Sequence, residues 1–466
     1  MSLSKFFVVL LIVCSWKMSN SQCWKMVRTG SNHCIAIKNN GTLWTWGNNS
    51  SGQLGYGGSF DLWTPYQIGV DNDWNTVGTG KSSAHNLAIK NDGTLWAWGD
   101  NFYGQLGTAP GGEEFAPIQI GTDTNWSKVA CGMFFSIAIK SDSTLWGWGS
   151  NAYGQVNELD PNNFVQGPTM ISTDSTWAEV VCGDAHSLAL TADGKLYGWG
   201  FNFNGTVGNG NSGAGSEAVL QQIAIGETWI SIAAGDAHSM AVRSDNTLWT
   251  WGASSDGQLG NGVLYSQNSL PAQIGTDTDW LKVFCGEFFS FGIKTNGTLW
   301  AWGANGYGQL GIGNNEQQLV SVQVGTANDW ITAEGGREHV IALKENDYAM
   351  TWGRNTFGTL GNGTGDGIDV HSNVPIDLLC GPVGIAESTS NYYISLYPNP
   401  ANDRINFTLP HGEQVVLASI YNALGMLQYT RYNNSSSIDI TDFPAGSYVL
   451  MITTDSGCFA KSFVKK

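Results

Sequence analysis

Charge is scarce in this chain of 466 residues: Asp, Glu, Lys and Arg together make up 13%, against a usual share of about 25%. Basic residues are scarcer still, 21 against 38 acidic ones, for a net charge of −17. That balance repels phosphate backbones, which disfavours nucleic acid and anionic membrane surfaces as partners. Seven histidines leave few groups for acid–base chemistry. No GxSxG, no HExxH and no phosphate-cradling loop that opens a helix occurs, so the common hydrolase, zinc and nucleotide signatures are missing. The expectation is a non-catalytic protein with no cofactor and no metal site. Long apolar runs are missing too, except at the start. There Lys5 supplies a positive end, Phe6 to Cys14 an apolar stretch too short to span a bilayer, and Ser19 and Ser21 small residues before a cut ahead of Gln22. Residues 1–21 thus read as a signal peptide, and no transmembrane segment is expected in the exported chain. Val13 stands before Cys14 where lipid attachment asks for a small residue, which argues against a lipoprotein.

What the chain has in excess is glycine, 61 residues, close to double the average frequency of about 7%. Many of these glycines belong to one recurring stretch, best seen at Lys90 to Gly107, KNDGTLWAWGDNFYGQLG. Its WxWG core recurs seven times, five times intact and twice as the variants Tyr197 to Gly200 and Met350 to Gly353, with closing glycines at 47, 99, 149, 200, 252, 303 and 353, a step of 50 to 52 residues. A fixed period of this size marks a propeller or solenoid, whose units bury their apolar faces only against their neighbours. In the second unit, Trp74 to Gly80 and His85 to Lys90 read as strands, Asp92-Gly93 as a two-residue turn, Thr94 to Trp98 as a third strand and Ile118 to Ile120 as a fourth, outer one. Four strands in each of seven units argue for an all-β fold, a seven-bladed β-propeller over residues 22–380.

The pattern resembles the repeat family of the regulator of chromosome condensation. The GxxHS strand is matched at Gly183 to Ser187, the DGxLWxWG hairpin at Asp92 to Gly99 and NxxGQLG at Asn305 to Gly311. The resemblance implies the propeller and leaves function open, because its members include an exchange factor, a plant ultraviolet photoreceptor and a secreted β-lactamase inhibitor. Photoreception in that family uses a GWRHT-type motif, where this chain has Gly132 to Ser136 (GMFFS) and Gly336 to Val340 (GREHV). Exchange on a nuclear GTPase does not suit an exported chain. The inhibitor is the nearer analogue, by architecture and compartment.

The 21 tryptophans invite a sugar- or base-stacking reading, but twelve occupy WxWG slots and seven open the units. Blade packing explains them better. His33, His85, His186, His238 and His339 share one slot with Phe135 and Phe289. Phenylalanine neither binds metal nor moves protons, so a hydrogen-bonded structural role is expected. Paired acids such as Asp277 and Asp279 recur at the turns between units, where side-chain to backbone bonds are expected to occupy them. Cys131, Cys182 and Cys285 fill a small-residue core slot, Cys34 and Cys458 have no evident partner, and Cys23 and Cys380 flank the propeller. If the ring closes, the last two meet about three positions apart, near enough for a disulfide.

After Cys380 the repeat stops. Residues 381–393 read as a linker, and 394–466 alternate apolar and polar residues in Arg404 to Leu409, Val415 to Tyr421, Ser437 to Ile440 and Tyr448 to Thr453. Short strands at such spacing suggest a small Ig-like β-sandwich. The module resembles the C-terminal sorting domain of type IX secretion cargo, through Leu396-Tyr397-Pro398-Asn399-Pro400, Asp403, Ile420-Tyr421-Asn422 with Gly425, Ile438-Asp439, Gly446-Ser447-Tyr448 and Lys465-Lys466. The resemblance implies that 394–466 engage the secretion machinery, and that the protein is secreted or held on the outer-membrane surface of a Gram-negative bacterium.

The functional expectation is a monomeric propeller that binds an extracellular protein or glycan. Loops after the QLG turns differ in every unit, and aromatics with no evident repeat slot lie in them: Phe60, Trp63, Phe115, Phe164 and Tyr265. These are the expected partner-binding residues, with folding back over blade edges as the alternative. Two other readings stay open. One is an enzyme acting on polysaccharide, with Glu113, Glu114, Glu158, Asp160, Asp366 and His371 as scattered candidates. The other is a purely structural surface protein.

Overall fold

A computed structural model of the chain describes residues 24–466 apart from 157–163, 174–175, 214, 346, 366–370, 379–394, 410–414, 423–426, 432–435 and 455–456. The expected signal peptide, Cys23, Cys380, the linker and Gly425 lie outside the described residues. The chain divides into two units between Leu378 and Leu379.

The first unit consists of seven four-stranded antiparallel sheets, each made of four consecutive strands. In the second blade these are Trp74–Thr79, His85–Lys90, Leu95–Asp100 and Glu113–Gln119. First strands of successive blades lie against one another around an axis and fourth strands lie outermost. The core sits between blades rather than within them. Leu87, Ile89, Leu95 and Ala97 of the second blade pack on Trp126, Ala138 and Trp148 of the third. A second strand is therefore covered on both faces, and His85–Lys90 is buried at every position. This is why the second strands do not alternate in the way a half-exposed strand would.

Tryptophan does most of the filling. Trp74 meets Trp96 edge-on at 5.9 Å, and the Trp98 indole N–H donates 3.0 Å to the Gln53 carbonyl of the preceding blade. Lys90 lies over both Trp74 and Trp96, 4.8 and 4.9 Å from their ring centres, and its ammonium meets Asp71 at 2.7 Å and Asp73 at 3.2 Å. Burial pulls the Lys90 pKa down, but the two carboxylates outweigh it and the net shift is upward. Lys140 and Lys294 make the same cage in their own blades. The acids of the inter-blade turns are thus held by a lysine rather than by backbone hydrogen bonds as the sequence suggested. A desolvated cation over aromatic rings adds about 2 kcal/mol.

The hairpin turn also departs from expectation. Gly93 N–H donates to Lys90 O at 2.9 Å and Lys90 N–H to Thr94 O at 3.1 Å, with only Gly93 at positive φ, +79°. The connection is a three-residue loop, Asn91-Asp92-Gly93, closed by a left-handed residue. Asp92 stiffens it by accepting from both the N–H and the hydroxyl of Thr94, whose hydroxyl oxygen accepts from the Trp96 indole.

The outer strand is longer than expected. Glu113–Gln119 begins five residues before Ile118, because a bulge opposite Ala97 to Gly99 and Pro117 break the alternation that reveals a strand. A proline is tolerated there since an outermost strand has no neighbour to donate to.

The ring closes with the contacts used between other blades. Trp24 N–H donates to Asp347 O as Trp74 N–H does to Gly41 O, and the Trp46 indole donates to Thr359 O of the seventh blade. Arg28 adds an ion pair to Glu334 at 2.8 Å.

The second unit has a three-stranded sheet, Ser395–Tyr397, Arg404–Thr408 and Ser437–Asp439, and a four-stranded one, Leu427–Arg431, Val415–Asn422, Gly446–Thr454 and Gly457–Lys465. Ile405, Phe407 and Ile438 of the first share a core with Ile420, Leu450, Ile452 and Phe463 of the second. No helix among the described residues is long and apolar enough to cross a membrane.

Candidate functional site

One face of the ring carries the hairpin and inter-blade turns with their lysine cages. The other carries the loops that follow the first and third strands of every blade, and here the chemistry varies. Each loop after a first strand begins with a glycine, which in four blades makes room for the next histidine and in two for Phe135 and Phe289. A Cβ on Gly183 would lie 2.2 Å from the His186 ring. The histidine then bonds to the following blade, His186 Nε2 to Ser239 Oγ and His238 Nε2 to Ser290 Oγ, each at 2.9 Å. Burial pushes the pKa of His33 down to about 4 and those of His85, His186, His238 and His339 to about 3, so all five imidazoles stay neutral at ordinary pH. His33 and His85 bond likewise to Asn86 and Ser136, so four of the five are latches between blades, the structural role their slot suggested, while His339 is buried in the same slot without such a bond at Nε2.

The residue after that glycine faces its counterparts around the axis: Ser31, Lys81, Met133, Asp184, Asp236, Glu287 and Arg337. Backbone amides link the loops in sequence round the ring, for example Asp236 N–H to Glu287 O and Arg337 N–H to Ser31 O, both 3.2 Å. Burial raises the Asp184 carboxyl well above the usual range, and a hydrogen bond and charge from Asp236 raise it further. Glu287 is pushed up to about 7, mainly by burial, although Arg337 lies 3.2 Å away and opposes the shift. Deeper along the axis, burial raises Glu179 against the fields of Lys128, Arg28 and Lys282.

Outside this acidic centre lies a second ring, formed by the loops after the third strands. Asn101 Oδ1 accepts from Leu106 N–H at 3.1 Å, Gln105 Oε1 accepts from Tyr103 N–H at 2.8 Å, and Gln105 Nε2 donates to Asp100 at 2.9 Å. The loop is therefore rigid, and it holds Phe102 69% exposed. Tyr103 meets Phe134 of the next blade at 5.0 Å. In the third and fourth blades Tyr153 meets Phe201 at 4.9 Å, and Phe203, 57% exposed, stacks on Phe201. Phe102, Tyr103, Met133, Tyr153 and Phe203 thus form an exposed apolar arc over blades two to four. In the seventh blade the same ring is charged, with Arg354 over Tyr307 at 4.5 Å and paired with Glu338.

The five aromatics expected to bind a partner fare unequally. Phe60 and Tyr265 are 80% and 85% exposed, on the first and fifth blades, apart from the arc. Trp63, Phe115 and Phe164 lie on outer strands rather than in loops. Trp63 and Phe115 fill a repeat slot after all. The Trp63 carbonyl accepts from Gly363 of the seventh blade at 2.9 Å, and the Phe115 carbonyl from Gly57 of the first at 2.8 Å. Leu319 and Asn373 do the same at other seams. The slot was hidden because its partner is a glycine some 60 residues away or across the ring closure. The arc was missed for another reason: Phe102, Tyr103, Tyr153 and Phe203 sit inside the regular NxxG turn and Met133 in the loop after a first strand, where position was read as structure. The signal available was variation within a fixed turn, Phe102-Tyr103 against Ser50-Ser51 or Ser255-Asp256.

The enzyme candidates do not converge. Glu113 and His371 are exposed on the outer strands of different blades, and His371 bonds to Asn315 at 3.0 Å. Glu158, Asp160 and Asp366 lie outside the described residues. Among the described residues no three of His, Cys, Asp and Glu cluster as a metal site would require. Cys34, Cys131, Cys182 and Cys285 are buried free thiols.

In the sorting module Tyr448 is buried and its hydroxyl donates to Pro444 O at 2.7 Å, while the Asp403 carbonyl accepts from Ile440 N–H at 2.9 Å. Gly446 pairs with Lys465 across the last two strands, and Pro398, Asn399 and Pro400 form the bend after Ser395–Tyr397.

Residues 92–139, 142–190, 193–242, 245–293 and 296–343 match the model of the Regulator of chromosome condensation (RCC1) repeat, more than half of the chain. The chain belongs to the RCC1 repeat family. Residues 395–466 match the Secretion system C-terminal sorting domain, so this RCC1-repeat protein carries a type IX address and is secreted or attached to the cell surface of a Gram-negative bacterium. Among characterised relatives, the Ultraviolet-B receptor UVR8 of Arabidopsis thaliana is 29% identical over 52% of this chain and 56% of its own length. The mitochondrial RCC1 domain-containing protein RUG3 of the same plant is 29% identical over 58% and 63%. The chain thus spans less than two thirds of either. The crystal structure of human WBSCR16 superposes with a TM-score of 0.65 at 22% identity, over 72% of this chain and 94% of that one. Yeast RCC1 (Prp20), crystallised with Kap60, gives 0.64 at 18%, over 83% and 93%. At these identities the solved structures speak for the fold alone.

Proposed function

We propose that the propeller is a non-catalytic binding module that, once exported, engages another surface macromolecule, a protein or a glycan, through the loop face. One observation carries the reading: Phe102, Tyr103, Met133, Tyr153 and Phe203 stand exposed on loops that internal hydrogen bonds make rigid. Large side chains held in place lose little entropy on binding, which is how a few aromatic anchors come to dominate an interface. The acidic centre beside them supplies hydrogen-bond acceptors for sugar hydroxyls or basic side chains.

The test is capture from outer-membrane and extracellular extracts by the purified propeller, in parallel with a glycan array. The Phe102→Ala/Phe203→Ala variant is expected to lose the captured partner, and unaltered capture refutes this face. A catalytic reading is favoured by the Asp184–Asp236 carboxyl pair, since a buried pair with one raised pKa can serve as acid and base. Turnover of a polysaccharide that Asp184→Asn abolishes would establish it in place of the binding reading.

A further inference from the structure

Two segments of the sorting module that lie far apart in sequence are clasped together. The Val464 N–H donates to the Asn399 side-chain oxygen at 2.9 Å across a separation of 65 residues. The Ala401 N–H donates to Val464 O at 2.8 Å, the Lys466 N–H donates to Ala401 O at 2.9 Å, and Ala401 pairs in parallel with Lys465. The bend Pro398-Asn399-Pro400-Ala401 leaves the smaller sheet and clips the edge strand Gly457–Lys465 of the larger one. Beneath the clasp Ala401 and Phe463 are buried in the shared core. Tyr397, 52% exposed, and Val464, 42% exposed, are the large exposed apolar side chains among the described residues of this module. Both fall on the clasp, within two residues of Asn399 in one case and bonded to it in the other.

We propose that the secretion machinery reads this clasp as one composite patch, Tyr397 and Val464 with Lys466 beside them, and that Asn399 is the residue that positions it. The inference rests on the sorting assignment. Neither strand offers the patch alone, because the Asn399 side-chain oxygen, two residues from Tyr397, accepts from the Val464 N–H and joins the two segments. Two exposed apolar groups next to a cation call for a receptor protein that pairs an apolar groove with a carboxylate. The address is then conformational: an unfolded tail of the same sequence would not present it.

The experiment follows export of the full chain in a type IX-secreting host, as the ratio of surface and medium to periplasm. Asn399→Ala removes the acceptor, whereas Asn399→Asp keeps one for the Val464 N–H. The expected result is an export ratio lower by about tenfold or more for Asn399→Ala and near wild type for Asn399→Asp, a tenfold change being about 1.4 kcal/mol of recognition. Limited proteolysis shows whether the module remains folded. Tyr397→Ser/Val464→Ser changes exposed side chains only, and a comparable loss is expected. Export of both Asn399→Ala and the double variant at the wild-type ratio overturns the proposal. If Asn399→Ala is degraded, the double variant alone decides in either direction. Deletion of 394–466 separates the two levels of inference. If that truncated chain is still exported, the sorting assignment fails; if it is stranded while the clasp variants export normally, only the clasp fails.

Discussion

The two faces of the ring come from the same seven repeats and use them in opposite ways. On the turn face the slots keep their chemistry: Lys90, Lys140 and Lys294 lie over tryptophan pairs and meet turn carboxylates within 2.6 to 3.2 Å. On the loop face the backbone bonds repeat while the side chains change, from Phe102-Tyr103 to Ser255-Asp256 in the outer ring and from Lys81 to Asp184 at the axis. The cage slot, packed on the indoles, keeps a cation in six of seven blades. A slot that faces solvent is free to vary, and such variation on a rigid base is where a partner can be read. The fourth blade marks the limit of the rule on the turn face. Thr191 replaces the lysine there, and Lys195 pairs with Asp193 instead at 2.7 Å.

The comparison breaks most directly at a turn-face tryptophan. Trp280, 2% exposed and against Trp300, Trp302 and Lys294, is expected to cost about 3–5 kcal/mol when changed to Ala, with capture of the partner by the folded fraction unchanged. Chemical denaturation measures the loss, and a cost below about 1 kcal/mol would deny the cage its role. Next comes ring closure. Trp24 bonds to Asp347 while Leu378 pairs with Ala349, so the residues flanking Cys23 and Cys380 hang from one hairpin. A disulfide between these two is expected to stabilise the closed ring by about 2–5 kcal/mol. Peptide mapping under non-reducing conditions that finds both thiols free would refute it.

On the loop face the expectations reverse. Phe203→Ala should weaken partner binding by about 2 kcal/mol with the melting temperature unmoved, as read by titration of the captured partner. Trp63→Ala now belongs with the structural set: its place at the seam predicts a stability loss of about 1–2 kcal/mol with affinity unchanged. Weakened binding at constant stability would instead return Trp63 to the binding surface.

A further difference is in pH dependence. The five buried histidines have folded pKa values of about 3 to 4, below the value of about 6.5 in an unfolded chain. Their contribution is therefore fully present above pH ~6.5 and lost as pH falls toward ~3, because only the unfolded state takes up the protons. The Phe135 and Phe289 slots make His238→Phe a natural substitution. It should reduce the acid slope by one proton, about 1.4 kcal/mol per pH unit, as seen in denaturation midpoints between pH 6 and 4. Glu287, raised to about 7, acts the other way, and its burial costs stability as pH rises above ~4.5.

The period, the blade count, the hairpins and the two-unit division could be read from one dimension, because each depends on local chemistry: a glycine at positive φ, an aspartate over its threonine, an alternation of apolar residues. The histidine slot was legible for the same reason, since Phe in two of seven copies rules out ligand chemistry. What the sequence could not reveal is which side chains meet across blades. Asp184 and Asp236 are 52 residues apart in the chain, Tyr103 and Phe134 are 31 apart, and Trp63 meets Gly358 across the closure. Local propensity carries no information over such separations. The stacking of blades around an axis creates the acidic centre, the aromatic arc and the seam, and the meeting of two sheet edges creates the clasp at Asn399. Amino-acid order therefore determined the scaffold and its compartment. Only tertiary structure decided which residues form its surfaces, because those surfaces are made of neighbours that burial brings together and sequence keeps apart.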